Sequence, residues 1–112
     1  MENNIILSII IPSYKETEKK LMPLLSSINN QVGIDLSKIE IILVRDGTKP
    51  IDLSQFHLLD ITIQQKVLSI NQGPGVARQF GLSNAIGKYV MFCDADDSLH
   101  NVGSLGAMLQ EM

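Results

Sequence analysis

Residues 4–12, N-I-I-L-S-I-I-I-P, form an almost unbroken run of branched hydrophobes, interrupted only by Ser8. No polar residue alternates with apolar ones, so the run predicts a strand covered on both faces, as inside a parallel sheet. Pro12, which has no N–H for the ladder, is the expected end of that strand. Residues 39–44 (I-E-I-I-L-V) form a second run of this kind, closed by Arg45-Asp46-Gly47. Residues 61–67 alternate instead, as a half-exposed or edge strand does. Residues 89–93 (Y-V-M-F-C) read as the next strand, and Asp94-Ala95-Asp96-Asp97 follows its carboxyl end.

Helical spacing fills the intervals. Leu21, Leu24, Leu25 and Ile28 fall at i, i+3, i+4 and i+7 and make one apolar stripe. Pro23 lies inside that pattern, which predicts a helix starting within a turn before it. Residues 73–85 read as a glycine-led loop feeding a short helix with Val76, Ala77, Phe80 and Gly81 on one face. Glycine inside a helix costs about 1 kcal/mol, so Gly81 predicts close packing on the sheet. Leu105, Met108 and Leu109 begin a last helix. The order β-α-β-β-α-β-α then predicts an α/β fold of three layers, with helices over a mostly parallel central sheet.

A length of 112 residues suits one domain, and no linker or repeat divides it. Nine Lys and Arg against twelve Asp and Glu give a net charge of -3. That balance excludes a protein that holds nucleic acid mainly by neutralising phosphates. The single cysteine, Cys93, excludes a disulfide framework and fits a reducing compartment. Within an apolar strand it reads as an inert buried thiol. No apolar stretch is long enough to span a bilayer, and Glu2 replaces the positive start of a secretory signal. The expected setting is cytoplasmic.

In open parallel sheets, ligands bind outside the carboxyl ends of the strands. This directs attention to residues 12–16, 45–48, 71–78 and 94–97, which all follow strands. Asp94, Asp96 and Asp97 repel one another unless a cation joins them, and hard divalent ions favour such oxygen ligands. The competing reading is that they cap a helix starting near Ser98. Asp46 is either part of a tight Asp-Gly turn or an exposed acceptor at the cleft, able to receive a nucleobase N–H. Asn71-Gln-Gly-Pro-Gly75 permits close approach of backbone to a ligand, and the helix start after it favours anions. It is not a dinucleotide fingerprint, because Arg78 follows where a third glycine is needed. Arg78, turned away from the apolar face, is either a solvated cation or a diphosphate contact. Tyr14 either stacks on a base or packs. His57 and His100 have no partner at metal or triad spacing.

These residues resemble the family 2 glycosyltransferases of the GT-A fold. The likeness runs from about Ile5 to Asp97. Ser8-Ile-Ile-Ile-Pro-Ser-Tyr-Lys-Glu16 looks like the opening strand and nucleotide loop, and residues 21–31 like the first helix. Val44-Arg-Asp-Gly-Thr48 is similar to the family's V-D-D-G-S/T segment, with arginine where an acidic residue or asparagine is common. Residues 71–81 and 85–97 complete the pattern, in order and at the right spacing.

The resemblance implies the nucleotide-binding half of such an enzyme, with a nucleotide-diphosphate sugar, a UDP sugar by preference, as donor. Pro12 and Tyr14 would flank the base, Asp46 would accept a hydrogen bond from it, and Glu16 would line the same pocket. Arg78 would lie near base or diphosphate. Asp94 would lie near the ribose or on the metal, and Asp96 on the metal, Mn2+ or Mg2+, with helix capping left to Asp97. Family members usually continue into an acceptor-binding half that supplies the base, and this sequence stops fifteen residues after Asp97, at Met112. The expectation is a single domain over 1–112, cut after the D-x-D motif, with no catalytic residue of its own and with the base beyond Met112. Transfer to a glycan or lipid-linked acceptor would belong to the parent protein, at the inner face of a membrane. Exposure of Leu105, Met108 and Leu109 at the cut end predicts self-association.

Other classes fit less well. A sugar nucleotidyltransferase has a glycine-rich loop with Arg and Lys after the first strand, where this chain has Pro12-Ser-Tyr-Lys-Glu16. A phosphoacceptor receiver domain needs acidic residues after its first strand and a lysine after its last. A non-catalytic interaction module would not bind nucleotide in a metal-dependent way.

Overall fold

Alternation along the first strand, β1 (Leu7–Ser13), sends Leu7, Ile9 and Ile11 to one face of a sheet and Ile10 to the other, and both faces are closed. The computed structural model describes residues 4–56, 61–96, 103, 105 and 106. After β1 come α1 (Glu18–Asn29), β2 (Ile39–Asp46), β3 (Thr62–Leu68), α2 (Pro74–Asn84) and β4 (Tyr89–Phe92). The strands lie in the order β3-β2-β1-β4, and every neighbouring pair is parallel. The expected three-layer α/β architecture is present, with the two continuous apolar runs at its centre and the alternating run at an edge.

One layer is α1, whose Leu21, Leu24, Leu25 and Ile28 pack on Leu7, Ile9 and Ile11 of β1 and Ile39, Ile41 and Leu43 of β2. Ile51, Phe56 and Ile61, from the connection between β2 and β3, join the same core. Each such buried side chain stabilises the fold by roughly 1.5–3 kcal/mol. On the other face α2 lies over Ile10, Ile42 and Val44 through Ala77. A Cβ on Gly81 would run into Ile10 Cγ2 and stand 3.3 Å from Val44 Cγ2, so this glycine sets how closely α2 approaches the sheet.

Four expectations need correction. β1 does not end at Pro12: Pro12 stays in register with Val44, and the strand runs on to Ser13. Its pairing with β4 stops at Ile10 and Phe92, so the missing N–H of Pro12 leaves no ladder bond unmade there. α1 begins at Glu18, more than a turn before Pro23, with the Thr17 side chain accepting from the Lys20 N–H at 3.4 Å. Pro23 and Lys19 both face solvent, where water can take the carbonyl the proline leaves unbonded. Val76 is exposed, because α2 meets the sheet through the buried Ala77 and Gly81, with Phe80 half-buried against the same cluster.

The fourth concerns Leu105, which is buried in the α1-side core, its N–H donating to Gln31 Oε1 at 3.0 Å. It therefore adds nothing to an exposed apolar face. Met108, Leu109 and the last residue, Met112, lie outside the described residues. Among those described, no helix is long and apolar enough to cross a membrane.

Candidate functional site

The connection leaving β1 covers one face of the sheet and the connection entering β4 covers the other. A crevice therefore opens at the carboxyl ends of these two neighbours. A cleft of 500 Å³ lies there, lined by Pro12, Ser13, Tyr14, Lys15, Glu16, Lys20, Asp46, Asn71, Pro74, Ala77, Arg78, Asp94, Ala95 and Asp96. Pro12, Tyr14, Glu16, Asp46, Arg78, Asp94 and Asp96, the seven residues expected at a site, all reach it. Asp97, His57 and His100 lie outside the described residues.

The loop after β1 forms one wall. Tyr14 is 41% exposed, and Lys15 Nζ sits over its ring, 5.1 Å from the centroid. Glu16 turns back so that Oε2 accepts from the Tyr14 N–H at 3.3 Å. Arg45 lies behind this wall, only 4% exposed. Its Nη1 donates to Ser13 Oγ at 2.7 Å and to the Glu16 carbonyl at 2.6 Å, and Nε donates to the Lys49 carbonyl at 3.0 Å. Burial lowers the pKa of this guanidinium, while the charges of Glu16 and Glu18 oppose the shift.

The opposite wall hangs on Asp46. The sequence left open whether Asp46 is an exposed acceptor or a turn residue, and the structure shows neither. It ends β2, is 4% exposed, and spends both oxygens on backbone. The Gln72 N–H donates to Oδ1 at 2.8 Å and the Gly73 N–H to Oδ2 at 2.9 Å. Gly47 (φ 68) follows, where a Cβ would collide with the Asn71 backbone, and its N–H donates to the Leu68 carbonyl at 2.9 Å. The Gln72 and Gly73 amides just ahead of α2 are thus occupied by this chain's own carboxylate.

At the mouth, Arg78 Nη2 stands 3.9 Å from Asp94 Oδ1, with the side chains 44% and 69% exposed. A pair this exposed contributes at most about 1 kcal/mol, so either partner can exchange it for a ligand. Asp96 is exposed in the same cleft. No group of three or more His, Cys, Asp or Glu side chains is placed to hold a metal ion among the described residues. Two open carboxylates still fit a magnesium-like ion, which is held by one or two protein carboxylates and completes its shell with water and phosphate oxygens.

Of the cleft residues only Lys20 lies outside the four segments that the sequence points to; Ser13, Lys15 and Asn71 fall within them but carry no signal of a role of their own. Lys20 had a signal: it lies in the first turn of the helix that follows β1, and that turn faces the carboxyl edge of the sheet. Arg45 was noticed only as a departure from a pattern, and its buried position had no local signature.

The model of the family described as glycosyl transferase family 2 matches residues 8–112. An uncharacterized glycosyltransferase of Haemophilus influenzae is 34% identical, over 86% of this chain and 38% of its own length. The dolichyl-phosphate beta-glucosyltransferase of Saccharomyces cerevisiae is also 34% identical, over 85% of this chain and 31% of its own. Residues 1–349 of S. aureus TarS, solved in complex with UDP, match with a TM-score of 0.76 at 28% identity, over 95% of this chain and 31% of that one. The complex of the same protein with UDP-GlcNAc matches at 0.69 and 27%, over 96% and 30%. This chain spans less than two-fifths of the length of each of these proteins. The match over nearly all its residues, on this fold and with this cleft, means that the chain belongs to glycosyl transferase family 2.

Proposed function

We propose that the cleft binds a nucleotide-diphosphate sugar, with UDP as the nucleotide, and is the donor-binding part of a sugar transferase. The observation that carries this reading is the convergence of seven residues from four separate segments of the chain on one cleft. The UDP and UDP-GlcNAc complexes of TarS support the choice of nucleotide.

Pro12 and Tyr14 flank the base in this reading, and Glu16 lines the same end. Asp46 accepts from the base N–H as well, because each carboxylate oxygen has two lone pairs and the loop uses one of each. Arg78 leaves Asp94 for the diphosphate. Asp94 and Asp96 hold Mn2+ or Mg2+, which when bound neutralises charge on the departing diphosphate. The acceptor, glycan or lipid-linked, and the catalytic base are assigned to the part of the longer relatives that this chain does not span. The yeast relative, by its name, acts on dolichyl phosphate, which makes a lipid-linked acceptor the first to try.

Calorimetry with UDP, with and without Mn2+, tests the reading. Binding that strengthens with the metal is expected. Failure to bind any nucleotide in either condition would sink it.

A further inference from the structure

We infer that Arg45 is a positioning residue for the nucleoside end of the cleft, holding the loop of residues 13–16 in its binding shape from behind. The inference rests on the donor-site reading above and adds a residue that touches no ligand. Arg45 does not line the cleft, whereas Ser13 and Glu16, which accept its hydrogen bonds, do. Tyr14 and Lys15 lie between those two anchors.

Burying a charge is unfavourable unless it is paired or fully hydrogen-bonded. Among the described residues Arg45 has no ion pair, and three of its N–H bonds go to loop oxygens instead. The guanidinium is thus spent on loop geometry. Nε reaches the chain after β2 at Lys49, while Nη1 reaches both ends of the loop after β1. A rigid planar fork can serve three acceptors in these directions, and a lysine ammonium on a flexible stem cannot. Asp46, the next residue on β2, holds the opposite wall through Gln72 and Gly73. The two walls therefore have separate supports, and the two ends of a nucleotide can be perturbed separately.

The test compares UDP with inorganic pyrophosphate, each with Mn2+, by calorimetry on the unaltered chain and on Arg45→Lys. The expected result is UDP binding weakened by about tenfold with pyrophosphate binding changed by less than about twofold, since the charge is kept and only the fork is lost. Hydrogen exchange without ligand should quicken at the Tyr14, Lys15 and Glu16 amides and stay unchanged at Gln72 and Gly73. Equal weakening of both ligands, or of neither, would overturn the inference. If Arg45→Lys does not fold, Ser13→Ala removes one acceptor and carries the same comparison, with a smaller shift in the same direction expected and the same overturning result. An unaltered chain that binds pyrophosphate but not UDP would overturn this inference while leaving an anion site. Binding of neither would remove the donor-site reading and this inference with it.

Discussion

Ser8 and Glu40 are register partners on β1 and β2, and Ser8 Oγ donates to Glu40 Oε2 at 2.6 Å in a part of the sheet closed to solvent. The Ile86 N–H donates to the same carboxyl oxygen at 2.8 Å, and Gln64 Nε2 to the other at 3.3 Å. The Gly87 N–H completes the group by donating to Ser8 Oγ at 2.8 Å. These bonds fasten the turn between α2 and β4 to the amino edge of the sheet. The cleft lies at the other edge.

Removing Glu40 should therefore cost stability and leave ligand binding alone. Glu40→Ala strands the Ile86 amide, the Ser8 hydroxyl and the Gln64 amide, each a donor that lost its acceptor. Leaving a buried partner unsatisfied costs about 1–3 kcal/mol. Urea denaturation should show a loss in that range or somewhat above it, with UDP affinity unchanged in the folded fraction. An unchanged midpoint would mean that water replaces the carboxyl group.

Two glycines in α2 should respond in opposite directions. Gly81→Ala puts a methyl group against Ile10 and Val44, where overpacking costs about 1–3 kcal/mol and outweighs the gain of about 1 kcal/mol in helix propensity. Nothing lies within 4 Å of a Cβ placed on Gly75. Gly75→Ala should stabilise by about 0.4–1 kcal/mol through the unfolded state. Thermal melts of the pair measure both signs against one reference.

The parts of this molecule legible in its sequence are those in which burial is continuous or periodic. β1 and β2 are covered on both faces and so leave unbroken apolar runs, and Leu21 to Ile28 leave a helical stripe. The site's location followed from the rule for carboxyl ends of parallel strands, which selected four segments far apart in the chain, while the family resemblance picked out Pro12 and Glu16 within them. The supports of the site were hidden. Arg45 bonds to a serine 32 residues away, and Asp46 to amides 26 and 27 residues away. Backbone amides have no side-chain identity, so no pattern of letters reports that they are the partners. The local Asp-Gly pair suggests a tight turn, whereas the chain only bends at Gly47 and Thr48 and the carboxylate's partners lie in another segment.

Acid should weaken the fold through carboxylates that cap loops. The pKa of Asp52 lies below its ordinary 3.8 because its carboxylate accepts from the Ser54 hydroxyl and amide, and Asp35 is lowered in the same way by Ser37. Glu18 is lowered from 4.5 chiefly by the Asp52 N–H. A depressed pKa in the folded state means that the unfolded chain takes up the proton first. The contribution is thus complete above the ordinary values and disappears as pH falls through the folded ones. Urea midpoints should hold steady from neutrality to about pH 5 and fall below about pH 4. Asp52→Asn should lower the midpoint near neutrality and flatten the acid limb. An equally steep limb in that variant would show that other carboxylates set it.

Asp96 and Asp46 lie in the same cleft, yet their substitutions should separate metal from scaffold. Asp96 is exposed, so Asp96→Ala should leave the melting temperature unchanged and abolish the strengthening of UDP binding by Mn2+. Asp46 is buried and holds two amides, so Asp46→Ala should destabilise by about 1–3 kcal/mol and loosen the loop before α2. Because that loop leads into the helix carrying Arg78, pyrophosphate binding should weaken along with UDP binding, while dependence on Mn2+ persists. Calorimetry of the two variants with UDP and pyrophosphate, each with and without metal, distinguishes these patterns. If Asp96→Ala kept its full metal response, Asp96 would have no part in holding the cation, and the ion would have to rest on Asp94 and the diphosphate alone.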